Sequence, residues 1–138
     1  MLYAFGSNGS GQLGVGHTRD LSSPELVDRV VKSPIQQIAA GGNHTLILDE
    51  HGNVEACGNN EHEQCGWGRS HEPLRTIRSL MPVLLPPGGD ARPVQIHQVS
   101  ATWCASIYLC RDGRVVTGGE GLSGERGSGD GVLSLIHI

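Results

Sequence analysis

Two cysteines and two histidines with metal-binding chemistry stand close together in the middle of the chain: Cys57, His62, Cys65 and His71. Thiolates and imidazoles are the usual ligands of structural zinc, so a zinc site is one hypothesis. An internal alignment favours another interpretation, because Cys57 matches Phe5 and Cys65 matches Leu13 in an earlier copy of the same pattern. Small buried cysteines commonly occupy hydrophobic positions. We therefore expect these residues to bind no metal ion and the chain to use no cofactor.

A glycine-rich loop from Gly9 to Gly14, GSGQLG, matches the G-x-G-x-x-G pattern of dinucleotide-binding loops. In such sites a helix follows the loop, and its N-terminus binds the pyrophosphate. Here the next residues, VGHTRDLSSPELV, have no helical period and contain Pro24. The matching later loop, Glu61 to Gly66, lacks the first two glycines. The pattern therefore indicates a structural turn rather than a nucleotide site.

Two tryptophans stand where the repeat does not require one. Trp67 matches Val15 in the earlier copy, and Trp103 stands where Gly42 stands. Tryptophan is enriched among the residues that contribute most to protein interfaces. The alternative for both is packing against neighbouring parts of the chain, which we favour for each. Both remain candidate partner-binding residues.

The elements that would position these residues form a repeat. Leu2 to Gly16 aligns with Val54 to Gly68, and Val99 to Gly119 aligns without a gap with Ile38 to Gly58. Self-similarity at this spacing indicates a solenoid, a propeller or another array.

Largely apolar runs mark the expected core strands. His44 to Leu48 and its copy Ser106 to Leu109 are apolar at successive positions, which is typical of a strand buried on both faces. A glycine-containing hairpin turn follows each run. An antiparallel meander is buried on both faces when sheets stack on either side of it, as in the blades of a β-propeller. Two more strands are expected in the connections, at Glu25 to Val31 and at Met81 to Leu85.

The composition narrows the class of protein. The chain has 138 residues, enough for one domain, and its 21 glycines fall mainly at repeat positions. A net charge of -4 argues against direct nucleic-acid binding, which needs a dense basic face. No apolar run approaches the length of a membrane span. The four cysteines have no framework-like spacing, which favours reduced thiols and a cytoplasmic or nuclear location.

A known repeat carries the same motifs. The pattern A-x-G-x-x-H-T-L-x-L-x-x-x-G-x-V, followed by G-x-N and Q-C-G-x-G, spans Ala39 to Gly68 and resembles the RCC1-type repeat. The stretch from Leu2 to Gly16 resembles the end of another such repeat. The resemblance implies an all-β fold, namely an N-terminal fragment with about two to two and a half blades of a seven-bladed propeller.

The resemblance also assigns structural roles to recurring residues. The histidine of the repeat, here His44, is expected to bond backbone rather than to catalyse, and no set of nucleophile, base and orienting residue can be found. The expected structural repeat positions are Gly6, Asn8, Gly14, Gly41, Gly42, His44, Gly52, Gly58, Asn60, Gly66, Gly113 and Gly119.

The expected organisation is a partial propeller over residues 1–132, with repeat parts at 2–16, 35–68 and 94–129 and a long linker at 69–93. The last six residues, LSLIHI at 133–138, match the translation of a transposase mosaic-end adapter used in sequencing libraries. We therefore expect this tail to be non-native and the propeller to belong to a longer protein.

Within the RCC1-like proteins the chain resembles a fungal group, the alpha-tubulin suppressors. The similar stretches are YAFGSNGSGQLGVGH, GGNHTLILDEHGNVEACGNN and the T-W-x-x-S segment from Thr102 to Ser106. This similarity implies a non-enzymatic interaction subunit. Its partner would be a small CSL-type zinc protein that acts in diphthamide synthesis and in Elongator-dependent modification of tRNA wobble uridine. The alternatives are guanine-nucleotide exchange on a Ran-type small GTPase and a generic regulatory or ubiquitin-linked module.

Overall fold

The computed structural model describes residues 1–29, 31–66, 75–85, 94–119 and, for the backbone alone, 134–137. Regular structure in these ranges consists of ten β-strands: β1 Tyr3–Gly6, β2 Leu21–Leu26, β3 Ile35–Ala40, β4 His44–Asp49, β5 Val54–Asn59, β6 Thr76–Pro82, β7 Ile96–Ala101, β8 Ala105–Cys110, β9 Arg114–Gly119 and β10 Ser134–His137. The all-β prediction is confirmed. None of these ranges holds a helix that could cross a membrane.

The strands form three antiparallel sheets in which neighbours in sequence are neighbours in space. The first sheet pairs β1 with β2, the second has the order β3-β4-β5-β6, and the third has the order β7-β8-β9-β10. β3 and β4 of the second sheet pack against β7 of the third. Such stacked meanders are the blade arrangement expected from the repeat. Residues 134–137, which the sequence predicts to be non-native, pair with Arg114 to Thr117 of β9.

The first sheet corresponds to the outer half of the second sheet. Gly6 lies opposite Leu21 after an irregularity in the ladder, and Gly58 lies opposite Ile77 after an irregularity at the same place. Thus β1 and β2 correspond to β5 and β6. The first sheet has two strands where the other two sheets have four.

Two strands lie upstream of the segments that the sequence predicted. β2 spans Leu21–Leu26 rather than Glu25 to Val31, and β6 spans Thr76–Pro82 rather than Met81 to Leu85. Both are outer strands with many exposed side chains, so the apolar pattern gives little signal there. Pro24 fits within β2 because this strand pairs only with β1 and needs no donor on its free side.

The core lies between the sheets, with β4 at its centre. Leu46 and Leu48 lie on the side of β4 that faces the third sheet, whereas Ile47 faces the first sheet, and all three are buried. Full burial of each side chain is worth about 1.5–3 kcal/mol relative to exposure. Burial on both sides explains why apolar residues occupy successive positions in this strand.

Tight packing at one end of the sheets requires glycine at two equivalent positions. Gly58 and Gly119 have φ angles of +113° and +105°. A Cβ atom added to Gly58 would lie 2.4 Å from the carbonyl oxygen of Asn43, and one added to Gly119 would lie 2.2 Å from that of Cys104. Any side chain there would displace the β3–β4 or β7–β8 turn, so these glycines keep both turns against the neighbouring strands.

Candidate docking face

Four connecting segments lie together at one end of the stacked sheets. They are 7–20 between β1 and β2, 41–43 between β3 and β4, 60–66 after β5, and 102–104 between β7 and β8. Hydrogen bonds hold them to the neighbouring sheet: the hydroxyl of Thr45 in β4 donates to the Gln12 carbonyl at 2.8 Å, and the Gly42 N–H donates to the Trp103 carbonyl at 3.1 Å. We call this set of segments the docking face.

Trp103 is the exposed aromatic residue of the docking face, with a fractional exposure of 75%. Its ring lies against Gly42, where an added Cβ atom would come within 2.8 Å of the ring carbon Cδ2. The turn backbone is held in place while most of the indole stays open to solvent. An aromatic ring positioned in this way is a typical anchor for a protein partner. The other candidate, Trp67, lies outside the described residues.

Buried asparagines shape the two long loops of the docking face. The Asn8 amide nitrogen donates to the carbonyls of His17 and Arg19, and its oxygen accepts the Leu13 N–H. In the later loop the Asn60 side-chain oxygen accepts the Cys65 N–H at 3.0 Å. Because these bonds satisfy loop backbone groups away from water, both loops are held in one conformation.

Glu63 has an uncommon backbone conformation in the later loop. Its φ angle is +60°, and among the described residues it is the only non-glycine residue with positive φ. The matching residue of the first loop is Gly11, with φ of +76°. A left-handed conformation costs an L-residue about 1–2 kcal/mol. Strain of this kind often marks functional loops, and here it occurs on the docking face.

His44 and Ser106 form a pair that resembles half of a catalytic triad. The His44 Nε2 atom lies 2.9 Å from the Ser106 hydroxyl oxygen, and that hydroxyl donates to the Gln64 carbonyl. Since a carbonyl can only accept, the Ser106 proton is directed at Gln64, and His44 must donate its Nε2 proton. The serine is therefore not activated by the histidine, and both side chains are buried away from any substrate.

Burial keeps His44 neutral. It lowers the pKa of His44 to about 4, because the imidazolium would lose its hydration, and the backbone of Ala105 offsets only part of this effect. His44 therefore joins β4 to β8 as a neutral donor. This position agrees with a structural role for the repeat histidine.

The cysteines proposed for a zinc site are instead buried beside backbone carbonyls. The Cys57 sulfur lies 3.3 Å from the Gln12 carbonyl oxygen, and the Cys65 sulfur lies 3.5 Å from that of Asn59. Burial raises the pKa of Cys57 to about 12 and raises the pKa of Cys65 as well. Protonated thiols are poor metal ligands. Over the described part of the chain no group of three His, Cys, Asp or Glu side chains could hold a metal ion, and His71 lies outside that part.

The other expected repeat positions occupy turns and sheet ends. Positive φ angles are found at Gly6, Gly14, Gly52, Gly58, Gly66, Gly113 and Gly119. Gly41 and Gly42 differ, since neither has a positive φ angle. They lie against side chains, and a Cβ atom on Gly41 would lie 2.1 Å from the His44 ring.

The sequence interpretation missed the residues that lock the loops to the next sheet. Gln12 and Gln64 recur at matching positions, and each offers its carbonyl to a hydroxyl, that of Thr45 or of Ser106. The sequence contained a signal for these bonds, because each glutamine is paired with a hydroxyl residue at the matching position of the next copy. This signal appears only when pairs of positions, rather than single residues, are compared between copies.

Comparison with known proteins identifies the repeat in this chain. Two sequence profiles, each described as the regulator of chromosome condensation (RCC1) repeat, match residues 1–48 and 35–64. An RCC1 repeat-containing protein of Schizosaccharomyces pombe is 40% identical over 133 residues, covering 94% of this chain and 36% of that protein. The secretion-regulating guanine nucleotide exchange factor of Bos taurus is 34% identical over 129 residues, covering 91% of this chain and 25% of that protein.

The solved structure of Prp20p from Saccharomyces cerevisiae has a similar fold. It superimposes with a TM-score of 0.76 at 20% identity, covering 99% of this chain and 33% of that chain. At this identity the likeness concerns the fold alone. This chain spans about a third of that structure, and 36% and 25% of the two relatives.

Proposed function

The chain carries RCC1 repeats in part of an all-β propeller, and we propose that it is a binding module that takes up a protein partner at the docking face, rather than an enzyme. One observation carries this proposal. Trp103 is 75% exposed on a turn whose backbone is fixed by hydrogen bonding to the neighbouring turn. The two long loops of the docking face are likewise shaped by buried asparagines, which limits the ordering cost of binding.

The first candidate partner is the small CSL-type zinc protein, as the resemblance to the alpha-tubulin suppressors implies. The intact protein would then act in diphthamide synthesis and in Elongator-dependent tRNA modification, in the cytoplasm or nucleus. This location rests on the spacing of the four cysteines, which is not that of a disulfide framework.

Affinity purification with the intact protein tests this function. We expect the CSL-type zinc protein to co-purify, and we expect Trp103→Ala to lower the amount recovered at least tenfold, because hot-spot truncations cost about 2 kcal/mol or more. The matched control is Leu84→Ala, because Leu84 is another exposed apolar residue, at the opposite end of the sheets, with an exposure of 65%. Equal recovery with both variants would contradict a docking role for Trp103, and no recovery with the unaltered protein would contradict this partner.

The second candidate partner is a Ran-type small GTPase. One comparison favours it: the bovine relative, 34% identical, is named as a secretion-regulating guanine nucleotide exchange factor. Faster GDP release from a Ran-type GTPase in the presence of the intact protein would support exchange. If neither partner binds, a generic regulatory or ubiquitin-linked module is the remaining interpretation.

A further inference from the structure

The connection between β2 and β3 crosses from the first sheet to the second at the end opposite the docking face. The Arg29 guanidinium of this connection donates to the Glu55 carboxylate in β5, from Nε at 3.0 Å and from Nη2 at 2.8 Å. Its Nη1 atom donates to the Ser33 carbonyl at 2.9 Å, and the Ser33 hydroxyl donates to the Asp49 carboxylate at the end of β4. Two side chains of the connection are thereby bonded to the second sheet.

Both carboxylates that receive these bonds are buried. Glu55 is 2% exposed and Asp49 is 1% exposed. Burying a charge is costly unless the charge is paired and hydrogen-bonded. Arg29 is the ion-pair partner of Glu55, whereas Asp49 depends on hydrogen bonds from Ser33 and from the β4–β5 turn. A chemical change at Ser33 therefore acts directly on a buried charge.

Ser33 stands directly before Pro34, and Ser-Pro is the acceptor pair of proline-directed protein kinases. Such kinases bind the acceptor segment in an extended conformation, which the residue before a proline favours. Lys32 and Pro34 are exposed, and Ser33 is half-buried in a segment without regular structure. The other Ser-Pro pair of the chain, Ser23-Pro24, lies in β2 with an exposed serine. The two pairs are thus matched in sequence but not in their contacts.

We propose that Ser33 is a phosphorylation site and that its phosphate releases the β2–β3 connection from the second sheet. A proline-directed kinase transfers the γ-phosphoryl group of ATP to the Ser33 hydroxyl oxygen. The bond from that phosphorus to the β–γ bridging oxygen breaks, ADP leaves, and the hydroxyl proton passes to the catalytic base of the kinase. Local opening of a connecting segment costs far less than global unfolding, and it gives the kinase access to the hydroxyl.

The phosphate prevents the connection from closing again. The modified oxygen has no proton to donate to Asp49, and the phosphate carries a charge of about −1.5 to −2 at pH 7, which the Asp49 carboxylate repels. Arg29 already contacts the Ser33 carbonyl, and a guanidinium binds phosphate through two parallel hydrogen bonds. Arg29 therefore follows the phosphate away from Glu55. The unpaired Glu55 carboxylate regains its hydration only while the connection stays open.

Two backbone amides report on this release. The Glu50 N–H donates to the Pro34 carbonyl at 3.0 Å and so ties the connection to the β4–β5 turn. At the other end of the sheets the Gly42 N–H donates to the Trp103 carbonyl. The phosphorylation site shares no residue with the docking face, so it does not depend on the proposed partner. Release of the connection should expose the Glu50 amide and leave the Gly42 amide protected.

Treatment of the folded chain with a purified mitogen-activated protein kinase and MgATP tests the site. A Ser23→Ala background leaves Ser33-Pro34 as the one Ser-Pro pair. We expect intact mass spectrometry to show one added phosphate and peptide mapping to place it on Ser33, and Ser33→Ala in the same background should abolish it. No phosphate on Ser33 of the folded chain would overturn the proposal. A synthetic peptide of residues 28–38, treated in parallel, would show whether the sequence or the fold is the reason.

Hydrogen exchange then tests the release. We expect the Glu50 amide to exchange about tenfold faster in the phosphorylated chain, with no change at the Gly42 amide. Ser33→Glu should give the same pattern, whereas Ser23→Glu adds the same charge at the exposed pair and should leave both amides unchanged. Equal exchange at Glu50 with and without the phosphate would overturn the proposal. Faster exchange at both amides would indicate a general loss of the fold and would also overturn it.

Discussion

Glu63 holds a backbone conformation that the first loop assigns to Gly11, and the two φ angles, +60° and +76°, differ little. The loop therefore keeps its shape although its sequence has changed from glycine to glutamate. The buried Asn60 bond to the Cys65 N–H is one contact that enforces this shape. At the scale of single residues, the repeat is conserved in geometry more strictly than in side-chain type.

Glu63→Gly is expected to stabilise the chain by about 1 kcal/mol. It removes left-handed strain of about 1–2 kcal/mol and adds a smaller entropic cost from the more flexible unfolded chain. The free energy of unfolding from urea titration measures the change. Glu61→Gly is the matched control, because Glu61 has no positive φ angle, and it should be neutral or destabilising. An equal effect of both substitutions would show that Glu63 is not strained.

At the scale of strands, the sequence located the strands whose side chains form the core and misplaced the outer strands, whose side chains are mostly exposed to solvent. β4 could be located because burial on both faces requires successive apolar side chains. β8 has the same apolar run, although Ile107 and Leu109 on one of its faces are only half-buried. β2 and β6 could not be located, because outer strands with many exposed residues have no such requirement. The contacts between sheets were also missed, since a bond such as Gln37 to Val99 joins positions far apart in sequence.

The junction of β4 and β8 is expected to weaken in mild acid because of His44. The pKa of His44 is about 4 in the folded chain, whereas the ordinary pKa of a histidine is 6.5. Between these two values the unfolded chain binds a proton that the folded chain excludes. The stability is fully present above pH 6.5 and falls as the pH drops from 6.5 towards 4. At about 1.4 kcal/mol per pH unit, the loss between pH 7 and pH 5 is about 2 kcal/mol.

Urea titrations at the two pH values measure this loss, and His44→Gln is the matched variant because it cannot titrate. Titration of Asp49 does not contribute to the measured loss between these pH values. Burial alone would raise its pKa, but hydrogen bonds from Ser33, Asn53 and His51 lower it below 3.8, outside this range. The variant should lose most of the pH dependence between pH 7 and pH 5. The same pH dependence in both proteins would show that His44 is not the responsible group.

At the scale of the whole molecule, the two sides of the sheet stack differ. The third sheet has four strands, whereas the first sheet has two, and the exposed Tyr3, Phe5 and Leu26 side chains belong to the first. An interface formed by two different surfaces leaves one of each kind free at the ends, so association can continue from one molecule to the next until the rotation closes a ring. The partial propeller that the sequence predicts leaves the faces of its end sheets without a neighbouring sheet. The sequence could not say which side chains would be uncovered, because Phe5 and Cys57 occupy the same repeat position but only Cys57 is covered by a neighbouring sheet.

Phe5 makes this difference testable. It is 63% exposed, and the matching position of β5 faces the sheet before it, so Phe5 points away from the second sheet. Apolar surface of this kind, next to the free edge of β1, drives association at micromolar concentrations.

We expect the unaltered chain to sediment as a concentration-dependent mixture of monomers and larger species, and Phe5→Lys to shift that mixture towards monomer. The substitution should leave the free energy of unfolding within about 0.5 kcal/mol of the original, because surface changes rarely exceed that value. Leu84→Lys adds the same charge to a different exposed position and should not reduce association, so an equal reduction by both variants would show that net charge rather than the uncovered sheet controls it.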